Sequence, residues 1–189
     1  MAEAGLAAEK AAARKAAFAR RAAAHEALGA APEAATAALL AALAEDTAEV
    51  VAGYLPIRTE LDPRPAMAAL AAAGRRVCVP VVLGRGRPLG FLEWRAEAAL
   101  AAGPFGVAFP RERRPCRPEA LIVPLAAFDA GGWRLGYGGG FYDRTLAALA
   151  GARAVGFAYA AQRAPGPLPR EATDVPLAAI ATEAGVVSP

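Results

Sequence analysis

With 189 residues and a mass of 19.2 kDa, the chain has the size of one large domain. A fold of that length removes roughly 70% of its unfolded surface from water and needs no covalent staples. Its 21 Lys and Arg against 18 Asp and Glu leave a formal charge of +3 and a pI near 9.2, short of what a dedicated nucleic-acid binder carries.

The rare residues exclude more than the common ones. Ser188, His25 and Gln162 are the one serine, one histidine and one glutamine, and asparagine is absent. A Ser/His/Asp hydrolase therefore has no credible nucleophile. Cys78, Cys116 and His25 lack the paired spacings of a zinc site, and two distant cysteines make no disulfide framework, which fits a reducing cytoplasm. The N-terminal segment carries charges every few residues and is not a signal peptide, and no apolar run approaches the roughly 20 residues of a bilayer span. The expectation is a cytoplasmic monomer with no membrane or nucleic-acid partner. Asp, Glu, Lys, Arg, Tyr and backbone amides remain for chemistry, an inventory suited to phosphate handling.

Along the chain, residues 4–28 are nearly all strong helix formers, and Gly29 and Pro32 punctuate them before a second helix over 33–45. Val50–Leu55 reads as a buried strand ended by Pro56, and it feeds a loop with Arg58, Glu60 and Asp62. Pro65 opens a helix to Ala73, stopped by Gly74. Val77–Val82 is a strand, and Gly84–Pro88 a hairpin turn into the strand Leu89–Trp94. The Pro-rich, basic stretch 103–118 is expected to be a surface loop. Ala120–Val123 is a strand, Phe141–Ala150 a helix, and Ala154–Tyr159 and Ala178–Thr182 are further strands. This alternation predicts an α/β fold: a single domain over 1–189, a three-layer α/β/α sandwich with a largely parallel, Rossmann-like sheet.

Residues 121–144 (LIVPLAAFDAGGWRLGYGGGFYDR) hold six of the nineteen glycines between positions 131 and 140. A strand, a glycine loop and a helix in that order suit an anion, because the backbone can approach closely and free N–H groups face the ligand. No lysine is present for a Walker A loop, and Phe141 stands where a dinucleotide fingerprint starting at Gly136 wants glycine or alanine. A tight turn before an ordinary helix is the competing reading. Asp143 alone is equally open: a carboxylate in a first helical turn stabilises it by roughly 0.3–1 kcal/mol, and it becomes a metal ligand only with a partner such as Asp174.

The run from Pro124 to Arg144 closely resembles the signature of the 5-formyltetrahydrofolate cyclo-ligase (5,10-methenyltetrahydrofolate synthetase) family. Other pieces fall in the family's order: Lys10 and Arg14 as Lys-x-x-x-Arg, Tyr54-Leu55-Pro56 with Glu60 and Asp62, Pro88 to Phe91, Gly103 to Gly106, and Gln162 to Asp174. The likeness covers essentially the whole chain. It implies ATP- and Mg²⁺-dependent conversion of 5-formyltetrahydrofolate into 5,10-methenyltetrahydrofolate with release of ADP and phosphate, by phosphorylation of the formyl oxygen and intramolecular attack of N10. A non-catalytic binder of nucleotide or folate is the alternative, and a nucleic-acid contact through Arg111–Arg117 the weakest one.

What the resemblance implies can be assigned residue by residue. ATP would be held by Lys10, Arg14, Arg134, Leu135, Gly136, Tyr137, Gly138, Gly139, Gly140, Phe141 and Tyr142, with Lys10, Arg134 and Tyr142 in catalytic roles. Folate would be met by Tyr54, Leu55, Glu60, Tyr137 and Phe141, with Glu60 taking the aminopyrimidine edge. Asp143 and Asp174 would hold Mg²⁺, a hard cation suited to oxygen ligands. The two lysines, Lys10 and Lys15, against 19 arginines make Lys10 suggestive of a compact phosphate donor. Phe109 and Thr173 depart from residues frequent in the family, and Phe91, Trp94 and Phe105 are read as either pteridine stackers or core. His25 is expected on the surface and Cys78 in the core.

Overall fold

The structure is a computed structural model whose backbone describes residues 2–44 and 46–189; Glu45, the last residue of the predicted second helix, lies outside them. Helix α1 (Ala2–Leu28) is alanine-rich, so it forms at little conformational cost. It ends where Gly29, at φ +79, donates its amide to His25 O. Helix α2 (Glu33–Ala44) begins after Pro32 and buries Ala35, Leu39, Ala42 and Leu43, a stripe at helical spacing. The two helices meet at 113°, and among the described residues no single helix is long and apolar enough to cross a membrane.

The remaining elements are β1 (Val50–Ala52), α3 (Arg64–Ala72), β2 (Arg76–Val81), β3 (Gly90–Glu93), β4 (Leu100–Ala101), β5 (Phe109–Pro110), β6 (Ala120–Pro124), β7 (Ala127–Phe128), β8 (Arg134–Leu135), α4 (Phe141–Ala148), β9 (Arg153–Phe157), β10 (Ala179–Thr182) and β11 (Gly185–Val187). Seven strands form one sheet in the order β11-β10-β9-β6-β1-β2-β3, parallel throughout except for the two antiparallel edges. Parallel strands covered on both faces must be apolar on both, and they are. Val51, Ile122, Val155 and Ala181 face the side of α1, α2 and α3, while Ala52, Leu121, Val123 and Ile180 face α4. The expected α/β/α sandwich is therefore present, with unequal layers: α4 shares its face with Leu125 and Leu177 from loops and with Phe128 of β7.

Chain order places the site. From β1 the chain moves to β2 and β3 on one side, and it then returns to β6, β9 and β10 on the other. The carboxyl ends of β1 and β6 thus flank the reversal of strand order, the crevice where open α/β sheets bind ligands. Two segments that the sequence singles out, 53–62 and 125–140, leave the sheet there.

Several predicted elements change on folding. The first strand stops at Ala52 instead of Leu55; the Gly53 amide makes its last bond to β2, donating to Cys78 O. The stretch 103–118 is more ordered than a surface loop. It contains a 3₁₀ turn, Pro104–Gly106, the pairing of β5 with β4, and a bridge from Pro115 to Leu92. A hairpin, β7–β8, stands between β6 and the glycine loop, so the loop does not follow the sheet strand directly. Strands β4, β5, β7, β8 and β11 are too short to have a readable period of their own.

Candidate active site

One face of α1 supplies Lys10, Arg14, Phe18, Arg21 and His25, spaced three or four residues apart and therefore stacked along the helix. Lys10 is buried; its Nζ lies 2.8 Å from Asp174 Oδ2 and 3.3 Å from Glu171 Oε1. Arg14 Nε donates to Gly136 O at 3.0 Å, and a Cβ added at Gly138 would sit 3.4 Å from its guanidinium carbon. The N-terminal helix thus closes over two segments more than a hundred residues away.

The glycine loop is shaped for close approach. Gly138 and Gly140 hold φ +94 and +62, conformations that an L side chain avoids. Gly140 is also the cap residue just ahead of α4. Among the described residues the amides of Tyr137 to Gly140 donate to no carbonyl or side chain. The first-turn amides of α4 add to them, so the loop presents a group of unpaired donors. Asp129 braces the loop from behind: its Oδ1 accepts from Gly131 and Trp133, and its Oδ2 from Leu168.

Asp143 and Asp174 arrive at the same edge. Arg134 Nη2 donates to Asp143 Oδ1 at 2.8 Å, and its Nη1 donates to the carbonyl of Val175, the neighbour of Asp174. The hydrogen bonds on the two carboxylates fall on Oδ1 of Asp143 and Oδ2 of Asp174, which leaves one oxygen of each without a partner among the described residues. Among the described residues no three His, Cys, Asp or Glu side chains converge. A cation here would rest on two carboxylates and draw its other oxygens from water and phosphate, which is the ligation Mg²⁺ prefers.

The loop over 53–62 approaches the glycine loop, since Arg21 donates to both Thr59 and Tyr137. Glu60 is buried, and its Oε2 accepts from the Ile57 amide at 2.9 Å. Desolvation raises its pKa above the ordinary carboxylate value, against the opposing pull of that amide and of Arg21. Burial and the nearby Glu60 charge also push the Tyr142 hydroxyl up, so it remains a neutral donor. Tyr54 and Leu55 lie in the core cluster, with the Tyr54 hydroxyl engaged by Leu61 O at 2.7 Å. Leu135 packs with Ala17, Ala127 and Leu168, which leaves only its backbone for a ligand. Phe91 and Trp94 are core residues. Phe105, by contrast, is 62% exposed with φ +59, its ring 6.1 Å from that of Phe141. Beside it a cavity of about 390 Å³ runs between Val81–Leu83 and the Pro104–Phe109 segment.

A model of the 5-formyltetrahydrofolate cyclo-ligase family matches residues 7–183. The chain belongs to this family. It is 38% identical over 148 residues to the 5-formyltetrahydrofolate cyclo-ligase of Escherichia coli strain K12, covering 74% of this chain and 80% of that protein. It is 33% identical over 138 residues to the Haemophilus influenzae protein of the same name, covering 69% and 73%. The NMR structure of 5,10-methenyltetrahydrofolate synthetase from Aquifex aeolicus aligns with a TM-score of 0.74 at 30% identity, over 95% of this chain and 92% of that one. The synthetase from Mycoplasma pneumoniae aligns at 0.73 over 93% and 99%, and its 23% identity speaks for the fold alone. The resemblance carried by the Pro124–Arg144 run is thereby borne out, and with it the expectation of a cyclo-ligase-family enzyme.

Two residues beside the glycine loop escaped the sequence reading. Phe18 and Arg21 pack against Tyr137, and Arg21 also donates to Thr59. Arg58, read only as part of its loop, lies over the same ring, and Arg144 donates to Gly139 O at 2.6 Å. The i, i+4 spacing of Arg14 and Phe18, followed by Arg21, was the available signal. His25 is a correction: it is only partly exposed, with Nδ1 3.0 Å from the hydroxyl of buried Tyr159.

Proposed function

We propose that the chain uses ATP and Mg²⁺ to convert 5-formyltetrahydrofolate into 5,10-methenyltetrahydrofolate, releasing ADP and phosphate. The observation that carries this reading is the meeting of Lys10 and Arg14 with Asp174 and the glycine loop, across 164 and 122 residues. It puts cations, unpaired amides and two partly free carboxylates around one crevice, as phosphoryl transfer requires.

Triphosphate oxygens would lie against the amides of Gly138 to Gly140, with Lys10 and Arg14 offsetting their charge. Lys10 has three donors, so it can keep Asp174 while reaching a phosphate. Arg134 is a brace more than a clamp, since its guanidinium is engaged by Asp143 and Val175. The free oxygens of Asp143 and Asp174 would hold Mg²⁺, whose contribution is to neutralise charge on the phosphates. Glu60 would accept paired hydrogen bonds from the pterin, and Phe141 with Phe105 would flank the ring system. The γ-phosphoryl group then passes to the formyl oxygen with departure of ADP. N10 attacks the activated carbon and gives up its proton to solvent, the carbon–oxygen bond breaks, and phosphate leaves. Tyr142 stays protonated and can donate to the oxygen that gains charge.

The test is the appearance of methenyl absorbance when the purified protein meets 5-formyltetrahydrofolate and MgATP. Folded protein that produces none overturns the proposal, and binding of both ligands without ADP release turns it to the non-catalytic alternative.

A further inference from the structure

Arg21 is the most deeply buried cation in the molecule, 2% exposed, and no step above uses it. Its Nε donates to Thr59 Oγ1 at 3.1 Å, and its Nη2 donates to the Tyr137 hydroxyl at 2.8 Å. Its Nη1 stands 3.8 Å from Glu60 Oε1, beyond hydrogen-bond length, and has no other partner among the described residues. The Phe18 and Tyr137 rings lie against the guanidinium carbon at 5.0 and 5.5 Å. One planar fork thus touches α1, the folate-side loop and the glycine loop. A lysine ammonium cannot serve three fixed directions in this way.

We infer that Arg21 is a positioning residue whose guanidinium, set between Glu60 and Tyr137, holds the folate-side and phosphate-side loops as one unit. The inference rests on the proposed folate role of Glu60. Four other groups act on that carboxyl or stand close to it: Arg58 in its own loop, Tyr137 of the glycine loop, Tyr54 beyond β1 and Tyr142 of α4. Of these only Arg58 is cationic, and it is exposed. Arg21 is therefore the one buried positive charge opposing the desolvation of Glu60.

The test is the pH profile of the folate KM in Arg21→Gln, Arg21→Lys and Glu60→Gln, with kcat read at saturating folate. Arg21→Gln should raise folate KM at neutral pH by about tenfold or more and move its acid limb up by about one pH unit, because an opposing charge is lost. Raising the pH should recover part of the loss, and kcat should change far less than KM. Arg21→Lys should restore the position of the limb while leaving KM raised. Glu60→Gln should lose the limb altogether. An Arg21→Gln enzyme whose KM is unchanged, or raised equally at every pH, overturns the inference. If that variant does not fold, Arg21→Lys decides: a folate KM equal to the parent's overturns it, and a raised KM with an unmoved limb supports it. A parent enzyme that forms no methenyl product would instead defeat the reading of function.

Discussion

Glu60 and Asp143 are both carboxylates, yet their surroundings give them different work. Glu60 is buried and its pKa is raised, so protonation, which removes its acceptor, begins at a higher pH than for an exposed glutamate. The folate KM should therefore climb on the acid side, and Glu60→Gln should raise it about 10–100-fold at neutral pH, the value of one or two lost charged hydrogen bonds. Stability runs the other way. A raised carboxyl favours the protonated folded state, so its contribution to folding is present in acid and lost as the pH rises through the raised pKa. A comparison of denaturation midpoints for parent and variant across pH checks that sign. Asp143 is partly exposed and braced by Arg134 at 2.8 Å. Asp143→Ala should lower turnover about a hundredfold by removing one charged oxygen site, with folate binding by calorimetry unchanged. Equal loss of both ligands in that variant would contradict separate sites.

At the scale of elements, the glycine loop and α4 work as one piece. Gly140 caps the helix at φ +62, and a Cβ there would come within 2.6 Å of Arg144 Nη1. Gly140→Ala should cost about 1–2 kcal/mol in urea denaturation from the left-handed backbone alone. It should also raise the KM for ATP more than that for folate, since the amides of the loop move first. The six glycines between 131 and 140 made this loop readable without coordinates, because glycine density reports backbone conformation directly. The hairpin β7–β8 ahead of it was not readable. Two-residue strands have no period, and they exist only because Asp129, Leu168 and the pairing partner hold them. The same reason hid β4 and β5, which turn the basic 103–118 stretch into an ordered wall of the cavity beside Phe105.

The whole molecule is closed by its two ends. Lys10 in the first helix meets Glu171 and Asp174 near the C-terminus, so nucleotide bound where we propose would tie the N-terminal helix to the sheet. A ligand at about a hundred times its Kd stabilises a fold by about 2.7 kcal/mol, and MgATP should raise the melting temperature accordingly. Lys10→Ala should lower the midpoint without ligand, because it strands the Asp174 carboxylate, and should abolish most of the MgATP rise; a full MgATP shift in the variant would contradict the placement. Chelating the divalent ion should shrink the shift in the parent protein too. The modest net charge of +3 is no guide to this region, where Lys10, Arg14, Arg21, Arg58, Arg134 and Arg144 gather around a single loop.

Alternating apolar runs and helix formers were enough to specify a layered α/β chain, because burial on both faces demands continuous apolar strands. Glycine spacing together with Lys10, Arg14, Glu60, Asp143 and Asp174 was enough to mark the family, because each of these residue types answers to a local chemical need. Tertiary structure alone decided that Tyr54, Leu55 and Leu135 point into the core, that Arg134 braces Asp143, and that Arg21 links Glu60 to Tyr137. Those are contacts between segments tens to more than a hundred residues apart, and only the strand order, which brings the ends of β1 and β6 together under α1, sets their distances.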